Sequence, residues 1–121
     1  MGGGESVRAP PPAPLVRRIV AFVPDLMDRS RLAGVTGIEF VATPELLPAA
    51  AEGADIVVVD LSRPGVLDVL PALSARTIGF ASHVDRVRID AARQAGCGEV
   101  LARSAFFSGL GEILGTVGHG P

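Results

Sequence analysis

The stretch Ile56-Val57-Val58-Val59-Asp60 is an unbroken apolar run that ends in a carboxylate, and Pro64 follows four residues later. A strand this apolar is typical of a sheet that is covered on both faces. In open α/β sheets, ligands collect at the carboxyl ends of the strands. The run therefore predicts a central buried strand, with Asp60 as the first candidate site residue.

Apolar segments that resemble strands alternate along the chain with segments of helical character. The predicted strands cover residues 19–23, 38–41, 54–60, 77–81 and 99–102. The predicted helices cover residues 25–32, 43–53, 64–73, 82–95 and 105–117, the third distorted near its end by Pro71. This alternation demands right-handed crossovers between parallel strands. The prediction is an α/β, flavodoxin-like, doubly wound fold with a five-stranded parallel sheet of order 2-1-3-4-5 and helices on both faces.

Composition limits the number of domains, the class of partner and the cellular compartment that we expect. The chain has 121 residues, of which 48% are hydrophobic and 20% charged, enough for one core. A formal net charge of -2, with 11 scattered basic residues, argues against nucleic acid or an anionic membrane as partner. A single Cys97 allows no internal disulfide, and no segment approaches the roughly 18 apolar residues of a membrane span. A cytoplasmic location is expected.

The two ends of the chain differ from its centre. Residues 1–16 contain Gly2-Gly3-Gly4 and Pro10-Pro11-Pro12 and are predicted to form a disordered tail. The alternative is a short polyproline II segment that docks into an aromatic groove. One domain is expected over residues 17–117, with a frayed terminus at 118–121.

The predicted strand order brings the ends of four strands to one edge of the sheet. The residues just past those ends are Asp25, Asp60, Ser82 and Arg103. Each has a structural explanation beside the functional one. Asp25 and Ser82 can cap the following helices, Asp85 being the other candidate cap for the second of these. Asp60 can cap a loop, and Arg103 can form an ion pair with Asp60.

Between Arg18 and Leu114 the chain resembles the receiver (CheY-like) family of response regulators. Receivers carry a phosphate-accepting Asp at the end of the third strand, then three residues and a proline, which is similar to Asp60-Leu61-Ser62-Arg63-Pro64. Their Ala-rich fourth helix ends in an Ala-Gly turn, as residues 90–96 do here. A cation follows their fifth strand, and Arg103 takes that place. The resemblance implies that Asp60 is a phosphoacceptor candidate, with Arg103 and Ser82 as its helpers.

The resemblance also implies a metal site, and here the chain departs from the family. Receivers follow the first strand with two acids that hold magnesium, whereas Val23-Pro24-Asp25 supplies one. Magnesium prefers near-octahedral oxygen ligands and usually keeps several waters. A weak site formed by Asp25, Asp60 and the Ser62 carbonyl is therefore the expectation.

The residues that switch receivers between states differ as well. The hydroxyl after the fourth strand aligns with Ala81, and Ser82 lies one position on. Arg103 replaces a Lys, which exchanges a compact ammonium for a planar fork. Leu101 and Ala102 occupy the positions where receivers often carry an aromatic, and Ser104 stands in place of a proline.

The fourth helix carries both an apolar pattern and a cluster of basic residues. Its apolar residues at helical spacing are Val84, Val87, Ala91 and Ala95. Arg86, Arg88 and Arg93 alternate with acids, a pattern typical of a solvated face with internal ion pairs. In receivers, the surface of the fourth helix, fifth strand and fifth helix docks dimers and output partners. The resemblance therefore implies a protein interface, for a kinase, an output protein or a second copy.

Three functions remain open. The leading one is an atypical single-domain receiver that acts through protein partners, with a degenerate phosphorylation site at Asp60, because the chain ends at the fifth helix without room for a DNA-binding domain. The second is an orthodox magnesium-dependent phosphoacceptor in a two-component phosphorelay. The third is a small flavodoxin-like enzyme or nucleotide binder, although no Gly-rich phosphate loop supports it. At most, the expected catalysis is autophosphorylation and dephosphorylation of Asp60.

Overall fold

The computed structural model describes residues 17–115, which form one parallel sheet and the helices around it. The strands are β1 (Ile19–Phe22), β2 (Ile38–Phe40), β3 (Ile56–Asp60), β4 (Arg76–Ala81) and β5 (Glu99–Ala102). Their order is β2-β1-β3-β4-β5 and every pair is parallel, which confirms the predicted flavodoxin-like topology. The predicted tail at 1–16 and terminus at 118–121 lie outside the described residues.

The helices are shorter than the sequence predicts. They are α1 (Leu26–Leu32), α2 (Leu47–Ala50), α3 (Val66–Val69), α4 (Arg86–Gln94), α5 (Arg103–Ser108) and α6 (Leu110–Leu114). Turns of 3-10 helix precede α2 at Pro44–Leu46 and follow α3 at Leu70–Ala72. Pro71 lies in the second of these turns, where its missing N–H ends the α-helical ladder.

The last helix differs most from its prediction. A single helix over residues 105–117 is wrong, because the helix begins at Arg103 and is interrupted at Gly109. Gly109 adopts φ -115° and ψ 25°, which is not helical, and glycine weakens a helix interior. Arg103 consequently sits in the first turn of α5, immediately after β5.

Two apolar layers cover the sheet, one on each face. Val57 and Val59 pack in the layer that contains residues of α2, α3 and α4, whereas Ile56 and Val58 pack in the layer that contains residues of α1, α5 and α6. Successive strand residues point to opposite faces, so β3 contributes alternately to both layers. All four side chains are buried, as the opening apolar run predicts. Within residues 17–115 no helix has the length and apolarity needed to cross a bilayer.

The buried face of α4 matches the predicted apolar stripe only in part, since Ala95 packs against the core but the two valines do not. Val84 and Val87 are 71% and 82% exposed, whereas Ile89 and Ala92 are buried against the sheet. Both sets have helical spacing, so the periodicity alone does not choose between them. Val84 lies before the first residue of α4, so the spacing counted from it does not describe a face of the helix, and Ile89 buries more apolar surface than Val87 would. This orientation leaves two valines on the surface near the start of α4.

Candidate functional site at the carboxyl edge of the sheet

Asp60 ends β3 and is 3% exposed. Its Oδ1 accepts hydrogen bonds from the Ser62 amide at 3.0 Å and from the Ser62 hydroxyl at 2.6 Å. Its Oδ2 lies 3.4 Å from Arg63 Nε. These bonds reach only two and three residues along the chain and turn it from β3 towards α3, as an Asp at a turn commonly does. Asp60 therefore has the loop-capping role that the sequence allowed, at the predicted edge.

Asp25 follows β1 and caps α1. Its Oδ1 accepts the Asp28 amide N–H at 3.0 Å, which satisfies one of the free N–H groups at the start of the helix. The structural explanation of Asp25 as an N-cap is thus confirmed. The cap also fixes the direction in which α1 leaves the sheet, so the first turn of the helix lies at the carboxyl edge.

Arg103 pairs with a residue that sequence reasoning missed. Its Nη2 donates to Oδ1 of Asp28, in the first turn of α1, instead of pairing with Asp60. Asp28 is 1% exposed, although it is an acid. The available signal was helical spacing, because Asp28 precedes the buried Leu32 by four residues and shares its face. That spacing places Asp28 on the inner side of α1.

Two aromatic rings hold the Arg103 guanidinium from the side of the core. Its Cζ lies 5.2 Å from the ring centroid of Phe107 and 5.6 Å from that of Phe80. Both distances fall within the range of cation–π attraction. Phe106 stacks on Phe80 at 5.0 Å and meets Phe107 edge-on at 5.0 Å, so the three rings form one cluster.

The charges of three acids act together on Arg103. The hydrogen bond to Asp28 raises the pKa of the Arg103 guanidinium, partial burial lowers it, and the charges of Asp28, Asp60 and Asp25 raise it further. Arg103 is thus a permanent cation that all three carboxylates stabilise. We call Arg103 and the three acids whose charges act on it, Asp25, Asp28 and Asp60, the acidic pocket.

The acidic pocket fits a magnesium ion poorly. Within residues 17–115 no group of three or more His, Cys, Asp or Glu side chains is arranged to hold a metal ion. Oδ1 of Asp25 and Oδ1 of Asp60 already accept hydrogen bonds from the chain. In the same described range, Oδ2 of Asp28 is buried without a hydrogen-bond partner. Weak magnesium binding by Asp25, Asp60 and the Ser62 carbonyl stays a prediction.

Ser82 lies just past β4 and is exposed. Its Oγ accepts a long hydrogen bond, 3.4 Å, from the amide of Val84. The cap of α4 is Asp85, whose Oδ1 accepts the Arg88 amide N–H at 3.2 Å. The choice between two candidate caps therefore falls on Asp85, and a switching role for Ser82 stays a prediction.

The three arginines of α4 have different surroundings. Arg88 is half-buried, with Nε 3.0 Å from Asp85 Oδ2 and Nη1 donating to the Leu61 carbonyl at 3.0 Å. Arg86 and Arg93 are exposed. They border a cavity of about 200 Å³ between α4 and β5, which is lined by His83, Arg86, Ile89, Arg93, Val100, Leu101 and Ala102. Arg88 thus ties α4 to the residue after Asp60, and the other two arginines face solvent.

Of the comparisons with known proteins, the comparison with solved structures gives a match. No family model matches the chain, and no curated protein matches it. Among solved structures it is similar to a response regulator from Hahella chejuensis, at 18% sequence identity and a TM-score of 0.67, over 87% of this chain and 99% of that one. At this identity the likeness shows the fold, which is a receiver-like parallel α/β fold.

Proposed function

We propose that this chain is an atypical receiver domain that acts as a signalling and protein-protein interaction module, with a degenerate phosphorylation site at Asp60. The observation that carries the proposal is the state of Asp60 at the end of β3. It stands where a receiver-like fold places its phosphate acceptor, yet the residue is only 3% exposed and its carboxylate is bonded to Ser62 within its own loop. The position supports the family, and the surroundings support the atypical form.

Phosphoryl transfer to Asp60 requires several groups to act together. A carboxylate oxygen attacks phosphorus, the bond from phosphorus to the donor oxygen breaks, and cations stabilise the charge on the phosphoryl oxygens. Here Arg103 donates to Asp28, and Asp25 caps α1. Because these groups are engaged elsewhere, the arrangement supports a module that works without phosphorylation.

The orthodox magnesium-dependent phosphoacceptor of a two-component phosphorelay is the alternative. Its support is that Asp60 ends β3 and Arg103 follows β5 at the same edge of the sheet, where the charge of Asp60 raises the pKa of Arg103. In this alternative Arg103 leaves Asp28 to hold the phosphoryl group, and the Ser82 hydroxyl reports the new state.

Treatment with acetyl phosphate and magnesium, followed by intact-mass measurement, separates the two functions. We expect no gain of a phosphoryl group by the natural chain. Asp60→Asn is the site variant, and Asp68→Asn is its matched control because Asp68 is an exposed acid on α3. If the natural chain and Asp68→Asn gain a phosphoryl group and Asp60→Asn does not, the result contradicts the atypical function and supports the orthodox one.

The protein partner is proposed to dock on α4, β5 and α5. Arg86 and Arg93 are exposed there beside a cavity, and Val84 and Val87 add apolar surface. Exposed apolar groups among cations are a common composition for an interaction surface. Arg88 contributes by holding α4 in place, since its guanidinium is bonded inside the domain. The partner is a kinase, an output protein or a second copy of this chain.

Charge reversal tests the homodimer form of this interface. Sedimentation of the natural chain at increasing concentration should reveal self-association, which Arg86→Glu with Arg93→Glu should weaken. Arg18→Glu is the control, because Arg18 is an exposed arginine that pairs with Glu39 on β2, the edge strand opposite β5. A natural chain that stays monomeric, or a dimer that the double reversal leaves intact, would exclude this homodimer.

A small flavodoxin-like enzyme or nucleotide binder has the least support. The cavity beside α4 has no carboxylate among its lining residues, so it lacks an acid-base pair. Burial raises the pKa of the Cys97 thiol, which keeps this sulfur protonated and a poor nucleophile at neutral pH. A cytoplasmic location stays a prediction.

A further inference from the structure

The contact between Arg103 and Asp28 joins two distant segments at the most buried acid of the domain. The residues are 75 positions apart, and they follow β1 and β5, which are separated in the sheet by β3 and β4. Asp28 is 1% exposed, and its second oxygen has no hydrogen-bond partner in the described part of the chain. A buried carboxylate is costly unless a counter-charge lies close to it. Arg103 is that counter-charge.

The Arg103 side chain is 44% exposed, and its guanidinium contacts an acid and two aromatic rings on its inner side. Asp28 accepts its hydrogen bond, and the rings of Phe80 and Phe107 lie 5.6 and 5.2 Å from its Cζ. The charges of Asp60 and Asp25 raise the pKa of Arg103 in addition to the effect of Asp28. A planar, weakly hydrated cation is suited to such a place between rings and carboxylates.

A free magnesium ion would compete poorly with Arg103 for these carboxylates. Magnesium gives up its water reluctantly and needs near-octahedral oxygen ligands. Arg103 is part of the chain, and its departure would leave the buried Asp28 carboxylate without a counter-charge, which is energetically unfavourable. The carboxylates of Asp25 and Asp60 also have amide or hydroxyl partners of their own.

We propose that Arg103 is a built-in cation that occupies the acidic pocket in place of a divalent ion, so that the folded domain gains no stability from magnesium or manganese. This inference rests on the proposed function, because it names the cause of the degenerate state of Asp60. It assigns Arg103 and Asp28 as a positioning pair that fixes the charge of the pocket. Divalent ions stabilise the folded domain only in variants that lack the guanidinium.

Thermal unfolding of the full chain tests the inference in magnesium or manganese chloride and in sodium chloride of equal ionic strength. The natural chain should melt at the same temperature in each. Arg103→Ala should melt about 10 °C lower in sodium chloride, since it leaves the Asp28 charge buried and unpaired. Divalent ions should restore several degrees of that loss. Asp28→Asn with Arg103→Ala should not respond, because the buried charge is then gone.

Arg31→Ala is the matched control for loss of an arginine from the aromatic cluster. Its Cζ lies 5.3 Å from the same Phe107 ring, and it has no ion-pair partner among residues 17–115. It should show no specific response to divalent ions. If Arg103→Ala does not fold, Arg103→Gln keeps most of the side-chain volume, and calorimetric titration of the natural chain with magnesium gives a second measurement.

Two results would overturn the inference. One is a natural chain that binds or is stabilised by divalent ions as well as the Arg103 variants are. The other is Arg103 variants that fold but do not respond to either ion. These outcomes are separate from the mass measurement: phosphoryl gain contradicts the proposed function whatever the melting temperature, and a magnesium-dependent melting temperature contradicts the role of Arg103 even without phosphoryl gain.

Discussion

Asp60 and Asp28 are both nearly fully buried acids at the same edge of the sheet, but the chain stabilises them in different ways. Asp60 receives its hydrogen bonds from Ser62 and an ion pair from Arg63, all within three residues. Asp28 depends on Arg103, which lies 75 positions away. The β3 end of the site is therefore a local structure, whereas the β1–β5 end is a product of the whole fold.

The two regions therefore depend on different parts of the chain for their stability. A turn closed by neighbouring residues costs little chain entropy and forms with the loop itself. A contact between α1 and α5 requires the sheet to be complete and the aromatic cluster beneath Arg103 to be packed. Changes in the core should consequently disturb the β1–β5 end more than the β3 end.

The largest effect is expected from Phe106→Ala, which removes the most buried ring of the aromatic cluster. Phe106 is fully buried and contacts both Phe80 and Phe107. The loss should be about 3–5 kcal/mol in the free energy of unfolding, measured with urea. Phe40→Ala is the control, because Phe40 is only half-buried on the edge strand β2. A loss no greater than that of the control would contradict the supporting role of the cluster.

A smaller loss is expected at the β3 end from Gly79→Ala. A Cβ at Gly79 would lie 2.7 Å from Cγ and Cδ1 of Leu61, the residue that follows Asp60. Leu61 is fully buried, so it must shift into occupied space at a cost of about 1–3 kcal/mol. At Gly34 a Cβ meets nothing within 4 Å, so Gly34→Ala should change the free energy of unfolding far less. Equal values for the two variants in urea unfolding would contradict the tight packing behind Asp60.

The same contrast explains how much the sequence could predict. The order of the strands and the places of Asp25, Asp60 and Arg103 at one edge follow from apolar runs and topology, which are patterns of neighbouring residues. The pairing of Arg103 with Asp28 follows from the orientation of α1 relative to α5, which no local pattern contains. The break of the last helix at Gly109 and the inward turn of Ile89 likewise depend on packing against the sheet.

Loss of the cap at Asp25 should have an intermediate effect on the β1 end. Asp25→Ala removes the acceptor for the Asp28 amide, at a cost of about 1 kcal/mol in the free energy of unfolding. Thr43→Ala is the matched control, because Thr43 precedes its helical turn without a side-chain capping bond. Urea unfolding should therefore rank Asp25→Ala clearly above Thr43→Ala. The reverse order would mean that the start of α1 does not depend on its cap.

The smallest effect is expected from Ser62→Ala, which removes one of the local bonds to Asp60. The hydroxyl bond is short, at 2.6 Å, but Ser62 is exposed and its amide stays bonded to the same oxygen, so the loss should be about 0.5–1 kcal/mol. Ser108→Ala is the control, since its exposed hydroxyl donates a longer bond, 3.3 Å, to a backbone carbonyl. Because Ser62 and Asp25 share no hydrogen-bond partner, the losses of Ser62→Ala and Asp25→Ala should add to within about 0.5 kcal/mol in the double variant. A larger coupling energy would show that the β3 end depends on the β1 end, and that the carboxylates of Asp60 and Asp25 interact through Arg103.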